Sequence, residues 1–304
     1  MKRKPIYVEI AIDAEMDKLW EATQTPEQHE QWDLRFSSIT YLPKQEDEPQ
    51  HFEYKTNIGL GLNIAGWGKS VGTFHAKDDS RTSSLHFGTD QAISIIREGK
   101  GYWKYKPEQN ALKFLTQYDY ETNFGALGRF FDHLIFRPLI GWATALSFDV
   151  LKRWLEKGES PISQYRRFFS HWMITLLFAF VWIYQGLVPK LIMMHPEEVS
   201  MTSSLLSMRG SEAYNLVATI GMAEIIFGFI WLLYHHKKRL LKIQLYLFPL
   251  LTLSAIIAEP ASMSHPFNPL TFNITLFVLS IIGFFTSKDV PTAKSCKRMR
   301  EGVK

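Results

Sequence analysis

One cysteine occurs in 304 residues, Cys296. That excludes an intramolecular disulfide, a CxxC redox pair and a thiolate zinc site, and Cys296 reads as an ordinary exposed thiol in a basic tail. After Met1-Lys2-Arg3-Lys4-Pro5 the chain also lacks the apolar region and small-residue cleavage site of a secretory signal. The N-terminal part is therefore expected to stay in the cytoplasm. A phosphate-binding loop is missing too. Gly66-Trp67-Gly68-Lys69-Ser70 ends like one, but Asn63 stands where the first glycine of GxxxxGK[ST] belongs and the flanks read as strands. His171, His195, His235, His236 and His265 show no ligand spacing, so neither metal nor haem is expected. The net charge of +4 is modest, and no nucleic-acid partner is expected.

Charged residues make up 21% of the chain, but they are unevenly placed. Residues 1–167 are mixed and charged, whereas residues 168–287 are mostly apolar. The expected division is a cytoplasmic domain over 1–160, a membrane domain over 161–287 and a basic cytoplasmic tail over 288–304. Apolar runs at 168–194, 216–234, 240–258 and 269–286 are each near the roughly 20 residues that a spanning helix needs. Four transmembrane helices follow. Lys152, Arg153, Lys157, Arg166 and Arg167 precede the first run, Lys237, Lys238 and Arg239 separate the second and third, and Lys288, Lys294, Lys297, Arg298, Arg300 and Lys304 follow the fourth. By the positive-inside rule both termini face the cytoplasm of a multi-pass protein in a bacterial cell membrane, with loops 195–214 and 259–268 outside. Pro189, Pro249 and Pro260 are expected to bend or end their spans, and Gly221 and Gly228 to let helices approach closely.

Glu224 sits in the middle of the run from Leu216 to Tyr234. A charge at mid-span costs about 2.5–3.5 kcal/mol on insertion scales, so it calls for a partner, a proton or a polar cavity. Eight residues past Leu216 it lies about 12 Å below the outer boundary. Lys190 closes the first span on that side and Glu259 the third, so a lysine can reach either carboxylate. Gln185 and Tyr184 are further candidate partners for Glu224.

In the polar half, residues 5–12 alternate as a strand. Ala14–Thr23 reads as a short helix capped by Asp13, with Leu19 and Trp20 turned inward. A second helix over 26–32 precedes a strand meander near 36–42, 50–57, 63–76, 83–89, 93–106 and 110–121. A long helical stretch, 127–157, closes this half, with Pro138 as a kink. It is more apolar than covering one sheet face requires, which leaves open that one face rests on a membrane surface. A curved sheet around a single helix leaves a cavity suited to an apolar ligand. Trp32, Asp33 and Arg35 are the pocket candidates, with the alternative that they close the second helix onto the sheet.

Leu19-Trp20-Glu21-Ala22-Thr23, Trp32-Asp33-Leu34-Arg35-Phe36 and the closing helix resemble the START-like helix-grip fold of the polyketide cyclase (SRPBCC) superfamily, over about residues 1–157. Val181-Trp182-Ile183-Tyr184-Gln185-Gly186-Leu187-Val188-Pro189-Lys190, Gly221-Met222-Ala223-Glu224 and Asn268-Pro269-Leu270 resemble the DoxX-like membrane family across all four spans. The expected fold is thus an α+β helix-grip domain followed by an all-α four-helix transmembrane bundle. These resemblances imply a binding or accessory protein of a membrane, lipid or redox system. Membrane lipid and a hydrophobic small molecule are its expected partners, and a protein of a redox complex is a further one. No catalytic motif is present, and no cofactor is required, although quinone or lipid remains open as a ligand. Two alternatives stand beside this: a quinone-linked oxidoreductase subunit in which Glu224 handles protons, and a passive anchor.

Overall fold

A computed structural model describes residues 4–45, 48–59, 61–208 and 210–300. The chain separates into two compact units, Met1–Tyr165 with Pro291–Lys304, and Arg166–Val290.

The first unit runs β1 (Ile6–Ile12), α1 (Met16–Gln24), α2 (Pro26–Trp32), β2 (Ser38–Tyr41), β3 (His51–Gly59), β4 (Leu62–His75), β5 (Arg81–Gly88), β6 (Ile96–Glu108), β7 (Ala111–Thr122), α3 (Gly125–Phe131), a π-helical turn (Asp132–Phe136) and α4 (Arg137–Lys157). The strands form one antiparallel sheet in the order β1-β7-β6-β5-β4-β3-β2. Period-two alternation decides which face is inside: Ile6, Val8, Ile10 and Ile12 of β1 are buried, as are Leu112, Phe114, Thr116, Tyr118 and Tyr120 of β7. Register shifts at Asn57/Gly59, Ser70/Gly72 and Ile96/Glu98 mark bulges, which bend strands and deepen the curvature of the sheet. α4 lies in that curve. Its Phe148 meets Phe114 at 4.5 Å and Trp32 at 6.1 Å between ring centroids, so one helix, the sheet and α2 share a core.

Two local expectations change, and the surroundings of Pro138 become explicit. Asp13 does not cap α1, which begins at Met16 after Glu15; the Asp13 backbone N–H instead donates to Glu156 Oε1 at 2.8 Å. Pro138 lies in the first turn of α4, inside a helical run that continues from the π turn Asp132–Phe136. The irregularity falls just before it, in the π turn. Cys296 is not a free surface thiol. Its Sγ donates to Ala145 O at 3.2 Å, and burial pushes the thiol up to about 12, so it is chemically quiet. The surrounding segment belongs to this unit: Glu9 and Lys297 exchange backbone hydrogen bonds of 2.9 Å, and the Thr292 N–H donates to Asp149 Oδ2.

In the second unit α5 (Pro161–Gln185) continues into a π-helical stretch, Gly186–Ile192, around Pro189. Then come α6 (Pro196–Leu206), α7 (Ser211–Leu233), α8 (Lys237–Ala258) and α9 (Pro269–Thr286). α6 occupies much of the stretch read from sequence as loop 195–214; Pro196 opens it and the His195 ring accepts from the Glu197 N–H. A core of Phe178, Trp182, Trp231, Leu241, Phe248 and Leu276 holds the bundle, with Phe178 and Trp231 rings 4.9 Å apart. Gly186 and Gly221 face each other at the α5–α7 crossing. A Cβ on Gly221 would come within 2.8 Å of Gly186 O, so only hydrogen fits.

Among the described residues five helices are long and apolar enough to cross a membrane: Gly125–Lys157, Pro161–Ile192, Ser211–Leu233, Lys237–Ala258 and Pro269–Thr286. They are not alike. Half of the apolar window in Gly125–Lys157 is buried in the protein, against 22% in Ser211–Leu233 and in Pro269–Thr286.

Candidate functional site

Between the curved sheet and α4 lies a cavity of about 1070 Å³. Leu85, Phe87 and Trp103 from the strands and Ile140 and Ala143 from α4 give it a largely apolar wall. Arg35 and Tyr118 are among the polar groups that interrupt it. Arg35 follows α2 and turns its guanidinium back onto Asp33: Nε donates to Oδ1 at 2.9 Å and Nη2 to Oδ2 at 2.6 Å. Nη1 is the one guanidinium nitrogen left free of that carboxylate. The Tyr118 ring lies 5.5 Å beneath the guanidinium carbon.

Electrostatics fix the protonation states. Burial alone would raise the Asp33 carboxyl, but the Arg35 guanidinium and the His29 hydrogen bond outweigh it and hold Asp33 well below the usual carboxylate range. An ionised carboxylate only accepts. His29 Nε2, 3.0 Å from Asp33 Oδ2, must therefore carry a proton and donate it. Burial lowers His29 below its ordinary value despite Asp33, so the ring is neutral and Arg35 has a single counter-charge. Burial likewise raises the Tyr118 phenol above its ordinary value. Thr144 Oγ1 gives its own proton to Ile140 O at 2.8 Å, so the Tyr118 hydroxyl donates to Thr144 at 2.9 Å.

The three pocket candidates from the sequence thus divide. Arg35 lines the cavity. Asp33 is buried behind it and orients it. Trp32 is fully buried and does not line the cavity; its Nε1 donates to Ala22 O at 2.8 Å, which ties α2 to α1. His29 and Tyr118 were missed by sequence reasoning. His29 is one helical turn before Asp33, the spacing that sets two side chains on one face, and this was the signal available. Lys69 and Ser70, from the loop-like motif, lie on strand β4 and line the same cavity.

The second unit holds a cavity of about 750 Å³ with a mixed lining that includes Gln185, Lys190, Glu198 and Glu224. Lys190 Nζ is 3.1 Å from Glu224 Oε2 and 3.3 Å from Glu198 Oε1. Glu198 was missed because 195–214 read as a loop; acids directly after a proline in Pro196-Glu197-Glu198 are the signature of a helical first turn. Tyr184 is absent from this cavity, 47% exposed and 5.7 Å from the Phe180 ring. Glu259 is absent from it as well; its backbone carbonyl accepts from Ser262, and Lys190 pairs elsewhere. His195 and His265 line the cavity, although the sequence shows them seventy residues apart. Among the described residues no three His, Cys, Asp or Glu side chains are arranged to hold a metal.

Residues 179–281 match the DoxX-like family. Over 187 residues the chain is 50% identical to the uncharacterized membrane protein YndG of Bacillus subtilis (strain 168), covering 61% of this chain and 70% of that protein. The chain belongs to this family of membrane proteins. Its second unit carries the DoxX-like domain, and the first has the START-like helix-grip fold. Solved structures similar to the first unit include a STAR-related lipid transfer protein from Xanthomonas axonopodis, 15% identical, with a TM-score of 0.38 over 49% of this chain and 84% of that one. Another is the Zhui aromatase/cyclase from a Streptomyces species, 8% identical, with a TM-score of 0.38 over 52% and 98%. Strand order and the helix laid across the sheet define the fold independently of these scores.

Proposed function

We propose that this DoxX-like protein binds a hydrophobic small molecule in its START-like unit on the cytoplasmic side of the bacterial cell membrane, as a binding or accessory protein of a lipid or redox system. The cavity of about 1070 Å³ carries this reading. Ligand sites generally enclose about 300–1,000 Å³ behind an apolar wall with a few placed polar groups, and the wall around Arg35 fits that description. Four spans, α5, α7, α8 and α9, with both termini cytoplasmic, are the topology we infer. The basic clusters that flank these helices support it, and so does the burial of α4 against the sheet.

The test is mass spectrometry of the full-length protein purified in mild detergent, with Ala143→Phe as the variant that fills the cavity. A co-purifying lipid or quinone that is lost in the variant, at unchanged thermal stability, is the expected result. A protein that carries no apolar molecule and takes up no hydrophobic probe would remove this function.

A second reading, a quinone-linked oxidoreductase subunit, is favoured by one observation: the bundle cavity presents Lys190 beside Glu224. Glu224→Gln protein that assembles normally and loses quinone-dependent turnover would support it. A redox-complex partner would then co-purify with the wild type.

A further inference from the structure

Residues 124–139 of the first unit are inside-out. A helix that covers a sheet turns its apolar side inward and its polar side to water. Here Leu127 is 75% exposed, Phe130 66% and Leu134 61%, and Phe124, Phe131, Ile135 and Leu139 are also exposed. The stretch's one carboxylate does the reverse. Asp132 is fully buried, accepting from the Tyr120 hydroxyl at 2.6 Å and from Arg137 Nε at 3.1 Å. The π turn at Asp132–Phe136 achieves this by shifting the side-chain register, so that the acid faces the sheet and the large apolar groups around it face out. The exposed ionisable groups left in this stretch are Arg129 and His133, with no exposed carboxylate among them.

Apolar patches of this extent on soluble units mark interaction sites. Phenylalanine and leucine with sparse basic residues and no exposed acid is the composition of a segment lying in a bilayer interface, where anionic headgroups meet cations and rings enter the acyl boundary. Its stretch of chain is also one of the five whose hydropathy suits a membrane, and the membrane is already the environment of this protein family. We propose that residues 124–139 dock the first unit onto the surface of a phospholipid bilayer. Phe136, Leu139 and Ile140 also line the large cavity, so the docked segment and the cavity wall are continuous. A ligand would then pass between bilayer and cavity along this segment; that consequence rests on the proposed ligand binding, whereas the docking does not.

The experiment uses the full chain in a Cys296→Ser background, reconstituted into vesicles of phosphatidylethanolamine and phosphatidylglycerol containing doxyl-labelled phosphatidylcholine. An environment-sensitive fluorophore is placed at Leu127→Cys or Leu134→Cys, and at Lys77→Cys in the exposed turn after β4 as the aqueous reference. The expected result is a shift to shorter wavelength and loss of emission to the doxyl lipid at 127 and 134, with neither at 77. Three outcomes overturn the docking: water-like emission at all three positions, equal quenching at position 77, or a shift without lipid quenching together with cross-linking between copies, which would make the face a contact between proteins. Quenching at 127 and 134 in a protein that carries no apolar ligand would retain the docking and remove the ligand-binding reading. Ligand binding without quenching would do the opposite.

Discussion

Asp33 receives two of the three guanidinium nitrogens of Arg35, at 2.9 and 2.6 Å, and the Asp33 side chain is wholly enclosed. Because His29 stays neutral, the Arg35 end of the cavity carries a cation and its own counter-ion, and no surplus charge. A bound anion would bring a second negative charge to a cation already matched.

At the Arg35 end the wild-type cavity should therefore take a long-chain alcohol or ester in preference to the corresponding fatty acid. Asp33→Asn leaves Arg35 unmatched and should shift the ratio of affinities towards the acid by about tenfold, or about 1.4 kcal/mol. Competition against a fluorescent apolar probe reads the ratio directly, and tighter fatty-acid binding by the wild type would contradict the charge balance.

The same substitution should cost stability. Removing one member of a buried ion pair leaves an uncompensated charge, a loss of about 3–5 kcal/mol. Thermal unfolding of the detergent-solubilised protein, followed through a tryptophan signal of the first unit, measures it. An Asp33→Asn, Arg35→Met double variant should recover part of the loss.

His29 gives the first unit a pH dependence of known sign. Its folded-state value lies below the unfolded value of about 6.5, so the unfolded chain binds the proton more readily. Stability from this group is complete above about pH 6.5 and falls as pH drops below it towards the folded value. Asp33, also depressed, adds a loss only under far more acidic conditions. His29→Gln should flatten the stability profile between about pH 5 and 6.5 relative to wild type; identical slopes would mean that His29 does not titrate there.

In the bundle, Lys190 and Glu224 should behave as a coupled pair. Lys190→Met and Glu224→Gln singly, and then together, should give a coupling energy of about 0.5–3 kcal/mol, with the double variant less destabilised than the sum. Glu198 remains 3.3 Å from Lys190 in Glu224→Gln, so this single variant should be the milder of the two. Unfolding in a detergent or bicelle titration supplies the values.

Gly221→Ala tests the crossing that places this pair. The added methyl meets the Gly186 carbonyl, which is backbone and cannot swing aside. Overpacking of this kind costs about 1–3 kcal/mol, and the α5–α7 approach should widen. Ala at Gly210, a loop glycine with open space around it, reports backbone strain without that overpacking.

The sequence by itself determined what local pattern and solvent preference can determine. Alternation in Ile6–Ile12 and Ala111–Thr122 set strands with one buried face, and the apolar runs set membrane helices, because periodicity and length act within a single segment. Glu224 was conspicuous because a charge in an apolar run has few acceptable surroundings. What only the tertiary structure decided depended on which distant segments meet. Lys190 took Glu224 and Glu198 rather than Glu259 because α6 and the Gly186–Gly221 crossing bring those carboxylates within reach of its short stem. Arg35 faces the cavity while Trp32 disappears beneath α1, a distinction invisible in a run of five residues. Asp132 turns inward and leaves Leu127, Phe130 and Leu134 outside because a π turn, with no signature in hydrophobic periodicity, shifts the register between them.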